Sequence, residues 1–208
     1  LYDENQFVRS GFRAVSNLMA KEYGINKQTL NHLLLNIFLK EGRERVFDKA
    51  LKDLTIYRKE IVMEMVETYR SHFPNIRLYS DALEVLCETS RRYLTALITD
   101  GNREVQENKV RALGIRDHFK VITYAIEFGG KNNSGSFLAT LERLNVEPSE
   151  SMYIDDDPLK ALATAKRLGI HTVRILKGEN RGIKIIDRQC RPEFEISNLR
   201  QLFEVISP

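Results

Sequence analysis

Apolar positions recur at helical spacing through the first third of the chain. Phe7, Val8, Phe12, Val15, Leu18 and Met19 form one stripe that runs up to Gly24, and Leu30, Leu33, Leu34, Ile37 and Phe38 form a second that ends near Gly42. Val46, Phe47, Leu51 and Leu54 predict a third helix. Ile61, Val62, Met65, Val66 and Tyr69 predict a fourth, which stops before Pro74 because the residue ahead of a proline is driven out of the helical region. No strand pattern interrupts these stripes, so residues 5–73 are predicted to form a helical bundle.

After Pro74 strands alternate with helices. Ser80 is placed to cap a helix carrying Leu83, Val85 and Leu86. Tyr93 to Thr99 predicts a buried strand, followed by a helix through Val105, Val110 and Leu113 that closes at Gly114. Val121 to Ala125 predicts a second strand, and a Gly/Asn-rich loop then leads into a helix with Phe137, Leu138, Leu141 and Leu144. Met152 to Ile154 is the third strand, Pro158 suits the first turn of the next helix, and His171 to Leu176 is the fourth strand. Ser197 is expected to cap a last helix through Leu199, Leu202 and Phe203. Such alternation predicts an α/β domain with a mostly parallel sheet covered on both faces. Its ligands are expected beyond the carboxyl ends of the strands.

Composition narrows the classes. The 208 residues are 42% hydrophobic, enough for a real core, which excludes wholesale disorder. Thirty-two Lys+Arg against 29 Asp+Glu leave a net charge of +3 without a basic stripe, which argues against a dedicated nucleic-acid binder. The two cysteines, Cys87 and Cys190, make neither a disulfide framework nor a CxxC zinc site, and they fit a reducing, cytoplasmic setting. No apolar run approaches the roughly 20 residues a membrane span needs. The opening residues lack both an initiator Met and a signal-peptide pattern, so the sequence is expected to begin inside a longer protein.

Three polar clusters fall at strand ends. In Thr99-Asp100-Gly101-Asn102, a hydroxyl, a glycine turn and a helix start could together hold an oxyanion; the same residues also make an ordinary strand-to-helix turn with Asn102 as cap. Asp155, Asp156 and Asp157 repel one another unless a cation compensates, and Mg²⁺ is the natural partner; a solvated acidic turn ahead of Pro158 is the other reading. Lys131, in a loop, could neutralise a carboxylate and a phosphate oxygen, or simply be solvated. Hydroxyl, lysine and acid group follow in that order, each after its own element.

In that order the chain resembles the haloacid dehalogenase-like superfamily, in its phosphatase branch with a helical cap inserted near the N-terminus. Thr99 matches the second family motif, Lys131 with Phe137 the third, and Ile154-Asp155-Asp156-Asp157-Pro158 the fourth. Leu1-Tyr2-Asp3 looks like the end of the first motif, whose two aspartates and central strand would then lie upstream of Leu1. Three positions depart from the pattern: Asn132 replaces a proline, Asp155 a glycine, and Ala161 a further aspartate found in many relatives.

The resemblance implies a Rossmann-like core made of residues 1–4 and 74–208, and a cap over 5–73 that closes on the site. Without the central first strand, the sheet is expected to open between the strands ending at Thr99 and Asp155. The implied activity is Mg²⁺-dependent hydrolysis of a small phosphorylated metabolite through an aspartyl-phosphate. Thr99, Asp100 and Gly101 would hold phosphate oxygens, and Lys131 would be the catalytic lysine, offsetting charge on nucleophile and phosphate. Asp156 and Asp157 would bind the metal, and Arg70 and His72 would be in reach of substrate. Neither a nucleic acid nor a membrane is implied as a partner. Two other readings stay open: a non-catalytic binding or regulatory relative, and a metal-independent 2-haloacid dehalogenase, against which the three adjacent acids argue.

Overall fold

In the computed structural model, which describes residues 1–206, α1 (Glu4–Tyr23) begins where the Asp3 carboxylate accepts the Asn5 N–H at 3.0 Å, and it ends at Gly24, which takes a left-handed φ of 66°. Asn26 caps α2 (Lys27–Glu41) in the same way, accepting the Thr29 N–H at 3.0 Å. With α3 (Val46–Asp53) and α4 (Lys59–Ser71) these helices bury the apolar stripes read from the sequence: Val8, Phe12, Val15, Met19, Leu30, Leu34, Leu51 and Met65 form one core. Burying each such side chain contributes about 1.5–3 kcal/mol. Phe12 meets the rings of Phe38, Phe47 and Tyr69. Gly11 allows α1 and α4 to approach, because a Cβ there would lie 2.4 Å from the Tyr69 ring.

This helical unit spans Asp3–Arg77 and also takes in Glu107–Leu113. It is thus wider than the 5–73 read from the sequence. The Gln6 side chain bonds both the Arg77 N–H (2.8 Å) and the Arg77 carbonyl (3.2 Å), and Ser10 Oγ accepts the Asn75 N–H at 2.9 Å, which ties the segment after Pro74 to α1. Within Glu107–Leu113, the buried Lys109 ammonium bonds both Glu4 oxygens, at 2.9 and 3.2 Å, and sits 4.3 Å from the centre of the Phe7 ring.

The second unit holds Leu1–Tyr2, Leu78–Gln106 and the chain from Gly114. In order it contains α5 (Ala82–Arg92), β1 (Ala96–Thr99), the start of α6 (Arg103–Leu113), β2 (Val121–Tyr124), α7 (Gly135–Leu144), β3 (Met152–Asp155), α8 (Ala161–Arg167), β4 (His171–Ile175), β5 (Phe194–Ile196) and α9 (Leu202–Ile206). All strand pairs are parallel: β1 with β2, β3 with β4, and β4 with β5. The β3–β4–β5 sheet is covered on both faces. Ile154, Val173 and Ile196 pack with Val85, Leu199 and Leu202, while Tyr153 packs with Phe137, Leu141, Ala161 and Ala165. Among the described residues β1 and β3 share no ladder, so the parallel strands form a pair and a triplet that open at the expected place.

Three local readings are corrected. Asp81, not Ser80, stands at the start of α5; its carboxylate accepts Lys177 Nζ at 3.0 and 2.9 Å and the Leu199 N–H at 2.8 Å. Four strands are read from the sequence where five form among the described residues, because Phe194–Ile196 is too short for an alternation to register. The last helix opens with a 3-10 turn capped by Asn198 through a capping box with Gln201, so Ser197 is not its cap. No helix among the described residues is long and apolar enough to cross a membrane.

Candidate active site

β1 ends at Thr99, and Asn102 caps the following helix by accepting the Val105 N–H at 3.2 Å. Between them Gly101 takes φ 109°, which favours a residue without Cβ. Asp100 is turned back into the loops: Oδ1 accepts the Gly101 N–H at 2.9 Å and Oδ2 accepts the Lys131 N–H at 3.2 Å. Gly130 lets that second loop come close, since a Cβ there would lie 3.4 Å from Asp100 Oδ2. The Thr99 hydroxyl donates to Gln106 Oε1 at 2.8 Å, one turn into the helix.

Lys131 joins this turn to the acid cluster. Its backbone meets Asp100, while its ammonium reaches Asp155 Oδ2 at 3.1 Å. Asp155 is the last residue of β3 and lies on the same face as Tyr153, whose hydroxyl donates to the same oxygen at 2.6 Å. The other oxygen, Oδ1, accepts the N–H groups of Asp156 (2.8 Å) and Asp157 (3.2 Å). Burial pushes the Asp155 pKa up, but the Lys131 charge and these hydrogen bonds outweigh it and hold it at about 2. Asp156 carries the cost of that arrangement: burial, then the neighbouring Asp155, push its pKa up to about 6.

The sequence-predicted residues therefore divide. Thr99, Asp100, Gly101, Lys131 and the three aspartates come together in one unit. Lys131 pairs with Asp155, which the sequence reading treated as a departure rather than a partner. Asp157 is turned towards its own helix, with Oδ1 accepting the Leu159 N–H at 3.0 Å and Oδ2 lying 3.6 Å from Lys160 Nζ. Arg70 and His72 lie in the helical unit. Arg70 is exposed, and the His72 ring packs 4.9 Å from Phe7 with Nδ1 at 2.7 Å from the Tyr69 carbonyl. Two contacts had no sequence signal: Gln106 on Thr99, and Asn180, whose Nδ2 donates to Asp156 Oδ2 at 3.0 Å.

Among the described residues no three His, Cys, Asp or Glu side chains are gathered as a ready-made metal cage. Mg²⁺ commonly binds with less, one or two carboxylates plus water and phosphate oxygens. Asp156 fits that role: it is half-buried, its charge is opposed by Asp155, and a divalent cation would relieve the repulsion.

The family model for haloacid dehalogenase-like hydrolases matches residues 1–175. The chain belongs to the haloacid dehalogenase-like hydrolase family. Curated relatives of this family member include phosphatases. A phosphoserine phosphatase from Thermus thermophilus is 30% identical over 163 residues, which are 77% of this chain and 64% of that protein's length. A glyceraldehyde 3-phosphate phosphatase from Methanocaldococcus jannaschii is 29% identical over 213 residues, covering 99% of this chain and 92% of the relative. Among solved structures, a HAD phosphatase from Thermococcus onnurineus superposes with TM-score 0.62 at 22% identity, covering 98% of this chain and 92% of its own. A 2-haloacid dehalogenase from Pseudomonas syringae superposes with TM-score 0.68, also at 22% identity, covering 99% and 93%. These two likenesses establish the haloacid dehalogenase-like fold of the chain.

Proposed function

We propose that this family member is a Mg²⁺-dependent phosphatase of a small phosphomonoester, acting through an aspartyl-phosphate whose carboxylate is carried on a strand upstream of Leu1. The observation that carries the reading is the Lys131 bridge from the Thr99–Gly101 turn to the acid cluster, beside the open strand position between β1 and β3. The start of the chain is consistent with it. The Leu1 carbonyl accepts the Tyr79 N–H at 2.9 Å, and Tyr2 bridges Leu78.

In this reading the carboxylate oxygen attacks phosphorus, the P–O ester bond breaks, and the alcohol leaves with a proton from a second acid. Water then hydrolyses the acyl phosphate, releasing phosphate and regenerating the carboxylate. The Thr99 hydroxyl would turn from Gln106 to a phosphate oxygen, the N–H groups of Asp100 and Gly101 would add to it, and Lys131 would offset the gathered negative charge. Asp156 would hold Mg²⁺, with Asp157 orienting its waters, and the ion would supply charge compensation for the phosphoryl group. Arg70 and His72 are the first side chains of the helical unit to test for selection of the leaving group. The names of the relatives make three-carbon phosphate esters the first substrates to try. The free cysteines and the absence of a long apolar helix among the described residues are in keeping with a cytoplasmic protein.

The test is phosphate release by the protein with all residues its gene encodes upstream of Leu1, on an aryl phosphate, phosphoserine and glyceraldehyde 3-phosphate, with and without Mg²⁺. Mg²⁺-dependent turnover supports the reading. Absence of turnover on any of them moves the assignment to a non-catalytic relative.

A further inference from the structure

Arg174 is a buried cation for which the reading above has no use. It stands on β4 in register between Asp155 of β3 and Glu195 of β5, and is 4% exposed. Nη1 donates to Glu195 Oε1 at 3.1 Å. Nη2 donates to the carbonyls of Asn180 and Ile183, both at 2.9 Å, and lies 3.5 Å from that of Arg181. A guanidinium is costly to desolvate and is kept inside only when its donors are used. Here Nη2 is spent on the backbone of one short turn, Glu179–Gly182, and of Ile183 that follows it, while Nε is buried without a hydrogen-bond partner among the described residues.

That turn lies against the acid cluster. Asn180 Nδ2 donates to Asp156 Oδ2 at 3.0 Å. Gly178, with φ 72°, precedes the turn so closely that a Cβ on it would lie 3.3 Å from the same oxygen. A carboxylate held this way presents a fixed plane to a ligand, whereas an untethered one loses rotamer freedom on binding.

We propose that Asn180 is the positioning residue of the Asp156 carboxylate and that Arg174 clamps the turn that holds Asn180 in place. This rests on reading Asp156 as the Mg²⁺ ligand. Residues that orient a metal ligand from behind typically change metal affinity about 10- to 100-fold when removed. A purely structural turn would move stability instead.

Two readouts separate the proposal from the reading beneath it: Mg²⁺ affinity by titration calorimetry, and the Asn180 side-chain amide resonances in a ¹⁵N correlation spectrum recorded in EDTA. Asn180→Ala is expected to weaken Mg²⁺ binding about tenfold or more, with the melting temperature in EDTA unchanged. Arg174→Lys and Arg174→Gln are both made, in case one does not fold; each is expected to weaken Mg²⁺ binding and to shift the Asn180 amide. Asp156→Ala should shift the same amide. Mg²⁺ binding by Asn180→Ala equal to the parent's overturns the positioning role, and an Asn180 amide unmoved by either Arg174 variant overturns the clamp. A parent that binds no Mg²⁺ overturns the metal reading. The contact and the clamp are then decided by the amide shifts alone, and an amide unmoved in Asp156→Ala overturns them.

Discussion

Asp156→Asn should make the metal-free protein more stable at neutral pH. The pKa of this carboxyl rises from an ordinary 3.8 to about 6, because it is half-buried and faces the ionised Asp155. A group whose pKa is raised in the folded state helps the fold while protonated. That help is fully present below the unfolded pKa near 3.8 and is lost as the pH rises through about 6. Above 6 the fold carries an ionised carboxylate it would rather have neutral. At about 1.36 kcal/mol per pKa unit the cost has an upper bound of about 3 kcal/mol, and solvent screening at a half-open site reduces it to about 1–2 kcal/mol. An amide of the same shape carries no such charge. Urea unfolding in EDTA at pH 4 and pH 7 would measure it: the parent should lose about 1–2 kcal/mol relative to Asp156→Asn across that interval. Adding Mg²⁺ should restore the parent at pH 7, by about 1.4 kcal/mol at tenfold excess over its dissociation constant, and leave the variant unmoved. Equal stabilities of parent and variant at pH 7 in EDTA would refute the claim that Asp155 and burial press on Asp156.

Lys131→Ala, in the protein that includes the residues upstream of Leu1, should lower Mg²⁺-dependent turnover about 100-fold or more, because Asp155 and the incoming phosphate lose their compensating charge; steady-state phosphate release measures this. Gly11→Ala should destabilise the helical unit by about 1–3 kcal/mol, read as a shift in the unfolding midpoint. The new Cβ meets the Tyr69 ring, which Phe7, Phe12 and Phe47 hold in place. Asp81→Ala should cost about 3 kcal/mol in the same assay, since it strands the Lys177 ammonium and the buried Leu199 N–H.

Local pattern was enough for the helices and for the alternation of strand and helix, because burial of one face imposes a period of 3.6 or 2 on neighbouring residues. The stripe from Phe7 to Met19 leads directly to the left-handed Gly24, and the helix ending at Leu113 to the left-handed Gly114, so each signal lies within its own element. The runs around Thr99, Lys131 and Asp156 are short and follow their own elements, and their order is what carries the resemblance to the family motifs. Pairing between elements was not legible. Three adjacent aspartates look alike in sequence, and Asp155 became the partner of Lys131 only because it closes β3 on the face of Tyr153. Gln106 meets Thr99 because a helical turn returns it to the strand end. Asn180 reaches Asp156 across 24 residues because the turn is held by a buried arginine on the neighbouring strand. These contacts are between groups distant in sequence, so their energies leave no periodic trace along the chain, and only the packed sheet decides them.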